Sequence, residues 1–279
     1  MHAYHINNDN FFLKNKMTDT LISGVVYVGG DGGDGDVSEV EKIKNSFSSF
    51  RDAIDFHHDR RERIIKISRD ITSQSKKLIY TAHRITHKPL KSILNEVTTK
   101  RIEIIDMFKQ VSLDLEGSDF HRYHKSISPA IQEYIEAISF IEYLQNGTLI
   151  SKEKVDIDFK DEEGSQFLIV TNEDYLLGIA DLTGELMRHA INCIGVGDHD
   201  RAIKICKFLR DIKSGYDILK IPKRDQLKKK MEIMHQSLIK VEDACYALII
   251  RGSEYPKEFY QHIVSEHAKS FDVEMDIDG

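Results

Sequence analysis

From Val37 onward, apolar residues recur at three- and four-residue intervals. Ile43, Phe47, Phe50, Ile54, Ile64, Ile71 and Leu78 fall close to multiples of the helical repeat and predict one long helix, or two nearly continuous ones, ended by Pro89. Leu90, Ile93, Leu94, Val97, Ile104, Ile105, Phe108 and Val111 mark a second stripe, broken at Leu115, Gly117 and Ser118. A helix from about 119 to 145 should stop at Asn146-Gly147, a common C-terminal signal. Residues 151–170 are polar and charged, and IDFKDEEGSQFLIV within them could pair only weakly. Further helices are expected at 172–194, ending at GVGD, and at 199–214, ending at Gly215.

In the last long helix, Leu227, Met231, Met234, Leu238, Val241, Cys245 and Leu248 alternate spacings of four and three, a heptad seam. With the other amphipathic helices, this seam offers more apolar surface than one chain is expected to bury, which implies a partner. No segment alternates convincingly as a strand. The pattern predicts an all-α protein, a single-domain bundle of about seven helices.

Composition bounds the ends of that bundle. DGGDGD at 31–36 and FDVEMDIDG at 271–279 cannot hold regular structure well. They predict a flexible N-terminal tail over 1–37, a helical domain over 38–265 and an acidic C-terminal tail over 266–279. Met17 leaves the start of translation open. No run of about 18 apolar residues is present, so no spanning helix is expected. The N-terminus also lacks the basic and apolar regions of a secretory signal. Cys193, Cys206 and Cys245 are scattered in apolar helical contexts, which suits reduced thiols in the cytoplasm or nucleus.

Charge changes the picture. The net charge is −7, from 39 basic and 46 acidic residues, yet residues 57–101 hold 12 Lys or Arg against four Asp or Glu, a local excess of +8. A basic stripe in an acidic chain can attract phosphates while the whole stays soluble; it is equally compatible with a solvated helix face.

The candidate chemistry sits in QEYIEAISFIEYL, residues 132–144. Glu133 and Glu136 lie three apart, on one helix face, in an otherwise apolar run. Burying a carboxylate costs several kcal/mol, roughly, unless a cation compensates it. Asp181 and Glu185 in GIADLTGELMR form a second same-face pair beside Ile179, Leu182, Leu186 and Ala190. Two such helices could build a four-carboxylate cluster. Hard oxygen donors without His or Cys suit Mg²⁺, with Mn²⁺ as an alternative, and such an ion lowers the pKa of a water and stabilises a leaving oxygen. The competing reading pairs each carboxylate with a nearby cation such as Arg188. Gly184 could serve either as space beside a metal or as a close helix–helix contact.

Other motifs carry less. Glu232 and His235 have the E-x-x-H spacing of di-iron bundles, which need two such motifs. GVGDHD, residues 195–200, lacks the Gly-Lys-Ser/Thr ending of a phosphate loop; a turn in which Asp198 or Asp200 caps the next helix explains it better. His57, His58, His83 and His87 are read as part of the basic face.

HDRRERIIKISRDITSQSKKLIYTAHR (58–84), QEYIEAISFIEYL (132–144), DYLLGIADLTGELMRHAIN (174–192) and KVEDACYALIIRGSE (240–254) resemble the translin-associated factor X branch of the translin family, in order, from about residue 43 to 262. The resemblance implies a translin-like fold and assembly with translin into a closed hetero-oligomer. It also implies a Mg²⁺-dependent endoribonuclease that cleaves single-stranded RNA, in passenger-strand removal during RNA interference and in tRNA precursor processing. The family's acidic catalytic and metal-binding positions fall on Glu133, Glu136, Asp181 and Glu185; translin itself is non-acidic at the positions matching the first three. RNA backbone is expected on the basic stripe, through Arg60, Arg61, Lys66 and Arg84, with single-stranded DNA as a further ligand. The alternative is a non-catalytic nucleic-acid-binding or scaffold partner of translin. Cytoplasmic and nuclear residence is expected.

Overall fold

A computed structural model describes residues 39–86, 90–115, 117, 119–222 and 225–252. The expected tails at 1–37 and 266–279, His87 and Pro89 lie outside them. Seven α-helices are present among the described residues: α1 Glu39–His83, α2 Leu90–Ser112, α3 Asp119–Asn146, α4 Lys152–Ile157, α5 Asn172–Gly195, α6 His199–Asp217 and α7 Gln226–Gly252. The architecture is all-α, as the periodicity predicts, and a 3₁₀ turn, Arg84–Thr86, follows α1.

The chain divides between residues 53 and 54, within α1. In the first unit, Val40, Ile43, Phe47 and Phe50 are exposed, and in the second so is Ile54. Four positions of the predicted stripe, Ile43, Phe47, Phe50 and Ile54, are therefore in solvent. Their spacing foretold the helix, but periodicity alone does not say what a stripe faces.

From Arg60 onward the stripe is buried as its spacing predicts: Ile64, Ile71 and Leu78 are in the core, with Ser68, Ser75 and Ala82 beside them. The core centres on α3, where every residue from Ala130 to Glu142 except Glu133 is buried. A helix enclosed nearly all round must be apolar nearly all round; its few polar residues therefore stand out. α5 packs on α3, α6 and α7. The heptad seam of α7 is buried within the chain, from Leu227 to Leu248, with Met231 half-buried. It is thus a core stripe and not the surplus apolar surface expected of it.

Caps fix the ends of these helices. Asp198 accepts from Arg201 N at the start of α6, as read from the sequence. Gly147 follows α3 with φ +68°, its N–H on Tyr143 O. α6 runs on through Gly215 to Asp217, beyond the expected stop. The 151–170 segment holds the short helix α4, which its charge concealed, and one antiparallel bridge between Lys160 and Gln166. Cys193, Cys206 and Cys245 are buried free thiols.

Candidate functional site: a carboxylate cavity beside a basic groove

α3 and α5 are held in register by a buried polar cluster and a close approach. Thr171 caps α5 by accepting from Asp174 N at 3.0 Å. The buried Asp174 carboxylate in turn accepts from Ser128 Oγ at 2.5 Å and meets His124 Nε2 at 2.7 Å, both on α3. Burial alone would raise the Asp174 pKa; hydrogen bonds from His124, Ser128 and Thr171 outweigh it and hold it low. One turn on, a Cβ at Gly178 would stand 2.8 Å from Gln132 O and from Ile135. Only glycine permits that approach. Nothing lies within 4 Å of a Cβ at Gly184, so Gly184 is the open position and Gly178 the helix–helix contact.

Beyond Gly178 the two helices line a cavity of about 480 Å³ with Glu133 and Glu136 from α3 and Asp181, Gly184, Glu185 and Arg188 from α5. α1 adds Lys76, Ile79 and Tyr80, and α7 adds Lys230 and Ile233. The four acidic residues singled out by spacing thus line one cavity.

Their environments differ. Glu136 is buried and, among the described residues, makes no hydrogen bond or ion pair. Burial, then repulsion by Glu133, Asp181 and Glu185, pushes its pKa up to about 9, so that at neutral pH it carries a proton. Glu133 is raised by burial against the pull of Lys76, whose Nζ lies 3.9 Å away. Asp181 is raised by burial and restrained by Lys230, whose Nζ is 2.5 Å from Oδ2. Glu185 is the exception: burial pushes it up, but His83 Nε2 at 2.5 Å and Arg188 at 3.6 Å draw it below its ordinary value. Arg188 therefore pairs with Glu185, and Asp181 pairs with a lysine from a helix 49 residues downstream.

Among the described residues no three acidic, His or Cys side chains stand ready-placed around a metal position. The donor chemistry nevertheless suits Mg²⁺: four carboxylates line one cavity, and burial with the negative charge of its neighbours leaves one of them protonated.

The four expected RNA contacts separate. Arg61 and Lys66 are exposed. Arg84 is half-buried and paired with Glu96 at 3.1 Å. Arg60 is a correction. It is buried, bonded to Asp114 O and Asp119 Oδ2 and placed over the Tyr123 ring, so its charge is consumed inside the fold. His83 also leaves the basic face assigned to it and bonds Glu185, one of the cavity's carboxylates. Lys76, Tyr80 and Lys230 were not singled out beforehand, and His83 was assigned elsewhere. The signals were slight: Lys76 and His83 are seven apart on one face of α1, and Lys230 flanks the α7 seam.

A second cavity, a groove of about 980 Å³, adjoins the first through Lys76 and Tyr80; α1 supplies Arg61, Arg69 and Lys77, and α3 supplies Arg122 and Lys125. It contains six cationic side chains and no acidic one.

The Translin family model matches residues 59–252. This chain belongs to the Translin family. It is 38% identical over 252 residues to Translin-associated protein X of Pongo abelii, covering 83% of this chain and 87% of that protein. It is 31% identical to the Translin-associated protein X homolog of Schizosaccharomyces pombe, covering 76% and 90%. The fold is similar to that of AfC3PO in a complex with duplex RNA, with TM-score 0.57 and 19% identity over 75% of this chain and all of that one.

Proposed function

We propose that this family member is the catalytic subunit of a Mg²⁺-dependent endoribonuclease that assembles with translin and cleaves single-stranded RNA. The observation that carries the reading is Glu136. A chain does not keep an uncompensated carboxylate beside three others in its core without return, and stability is poorly served by burial and repulsion that leave one of them protonated.

Glu133, Glu136, Asp181 and Glu185 would hold the ion, and Glu136 would shed its proton as it did so. Bound there, Mg²⁺ supplies charge stabilisation and a water of lowered pKa at neutral pH. His83 orients Glu185 through its 2.5 Å contact, and Lys230 fixes Asp181 while anchored on Gln132 Oε1 and Leu177 O. The adjoining basic groove brings phosphates to the carboxylates without reading sequence. Three buried free thiols suit a reducing compartment, the cytoplasm or nucleus. The RNA substrates would include passenger strands and tRNA precursors.

The Lys230–Asp181 and His83–Glu185 pairs favour a second reading, in which the cluster is a neutralised structural network and the chain a nucleic-acid-binding or scaffold subunit. Co-expression with translin, followed by cleavage of single-stranded RNA in Mg²⁺ and in EDTA, separates the two. Cleavage in Mg²⁺ that EDTA and Glu136→Gln both abolish supports the enzyme; salt-sensitive binding without turnover supports the second reading.

A further inference from the structure

Tyr80 is 74% exposed at the junction of two cavities of opposite charge. On one side lie the four carboxylates; on the other, the groove with six cations. Lys76, one turn before Tyr80, also belongs to both and stands 3.9 Å from Glu133.

The groove is assembled from two helices. Arg61, Arg69, Lys76 and Lys77 line it from α1, and Arg122 and Lys125 from α3. The helices run side by side in the same direction, tied at one end by Arg60 on Asp119 and near the cavity by His83 against Phe140, 4.5 Å between ring centroids. From Arg61 to Tyr80 the groove follows α1 for about 28 Å at ~1.5 Å per residue. Arg61, Arg69, Lys77 and Lys125 make no ion pair among the described residues. Their charge remains available to an anionic polymer of that length.

An exposed tyrosine ring where such a polymer must turn from cations to carboxylates has a specific use. Every unpaired base has a face that stacks on an aromatic ring, whereas a base inside a duplex has both faces covered. We propose that Tyr80 is the base-stacking platform that anchors one unpaired nucleotide of a single-stranded RNA at the mouth of the carboxylate cavity, so that it positions the strand for cutting and selects against duplex. The inference rests on the endoribonuclease reading for what happens next, but the stacking contact itself is measured without cleavage.

The test uses the full chain co-purified with translin, in EDTA, with single-stranded RNAs carrying 2-aminopurine at successive positions. One position should be quenched on binding. Tyr80→Phe should keep that quench, while Tyr80→Ala should abolish it and weaken binding about tenfold, with the salt dependence unchanged because the phosphate contacts remain. In Mg²⁺, Tyr80→Ala should spread the cut over several positions. Equal quenching by Tyr80→Ala, or loss of co-purification with translin in that variant, would overturn the proposal; the latter would make Tyr80 an assembly contact. Failure of the catalytic reading registers elsewhere, as cleavage that survives Glu136→Gln.

Discussion

Lys230 Nζ lies 2.5 Å from Asp181 Oδ2, inside a cavity that three further carboxylates share. The ammonium is anchored on the Gln132 side chain and the Leu177 carbonyl, so α7 delivers a cation to the cluster formed by α3 and α5. Lys230→Met removes that charge while keeping much of the stem. In EDTA the variant should lose roughly 1–2 kcal/mol, a discounted figure because Asp181 is 35% exposed. Mg²⁺ should then raise the melting temperature by more in the variant than in the parent. Equal shifts would mean that Lys230 and the ion do not serve the same negative charge.

Glu136→Gln tests the cluster more sharply than Asp181→Asn does, because Asp181 has a partner to orphan and Glu136 has none. With its pKa up at about 9, the Glu136 carboxyl is already protonated at neutral pH, and glutamine mimics that form. Melting in EDTA should be unchanged or slightly higher. Cleavage in Mg²⁺ should fall at least about a hundredfold if the carboxylate holds the ion. Near-normal cleavage would remove Glu136 from the site.

Much of this was legible in the amino-acid order, and the failures have physical causes. Three- and four-residue spacings give a helix and its faces, so same-face pairs such as Glu133 with Glu136 could be read directly. That α3 and α5 meet depends on Gly178, Asp174 and Ser128, contacts between segments about 46 residues apart, which no local pattern encodes. Lys230 was invisible for the same reason. The exposed Ile43–Ile54 part of the first stripe and the buried α7 seam exchange their expected roles because periodicity fixes a face but not its neighbour. Arg60 was indistinguishable from Arg61 in a basic run, although one is buried on Asp119 and the other lines the groove.

That last contrast is testable. Arg60→Ala breaks a mostly buried ion pair and should cost about 3 kcal/mol of stability, with the salt dependence of RNA binding unchanged. Arg61→Ala should do the reverse, leaving melting within about 0.5 kcal/mol and flattening the salt slope by about one. Thermal melts and binding titrations at several salt concentrations check both. A flattened slope in Arg60→Ala would return Arg60 to the RNA surface.

The two glycines of α5 should part in the same way. Gly178→Ala forces a methyl to within 2.8 Å of the Gln132 carbonyl and Ile135, and the helices must separate. A loss of about 1–3 kcal/mol is expected, and cleavage should drop with the displaced carboxylates. Gly184→Ala meets nothing within 4 Å and should stabilise the helix by roughly 0.5–1 kcal/mol. Comparable melting temperatures for the two variants would contradict the close approach at Gly178.

His189 gives a pH signature that the carboxylates do not share. Its ring is fully buried, near Phe140 and 3.8 Å from Cys193 Sγ. Burial, then the charges of His83 and Arg201, lowers its pKa from 6.5 to about 4. Between those values the unfolded chain takes up a proton that the folded chain refuses. The contribution is fully present above pH 6.5 and is lost as pH falls toward 4, by on the order of 3 kcal/mol in all. Glu133, Glu136 and Asp181, all raised, act in the opposite direction, since their folded forms hold protons that the unfolded chain releases as pH rises. Wild-type stability alone therefore mixes the two effects. His189→Phe keeps a buried ring and removes only the histidine contribution, so the difference between parent and variant should change in the variant's favour as pH falls from 6.5 to 4. Denaturant melts of both proteins at several pH values in EDTA measure that difference. A difference independent of pH would mean that His189 titrates alike in the folded and unfolded chains.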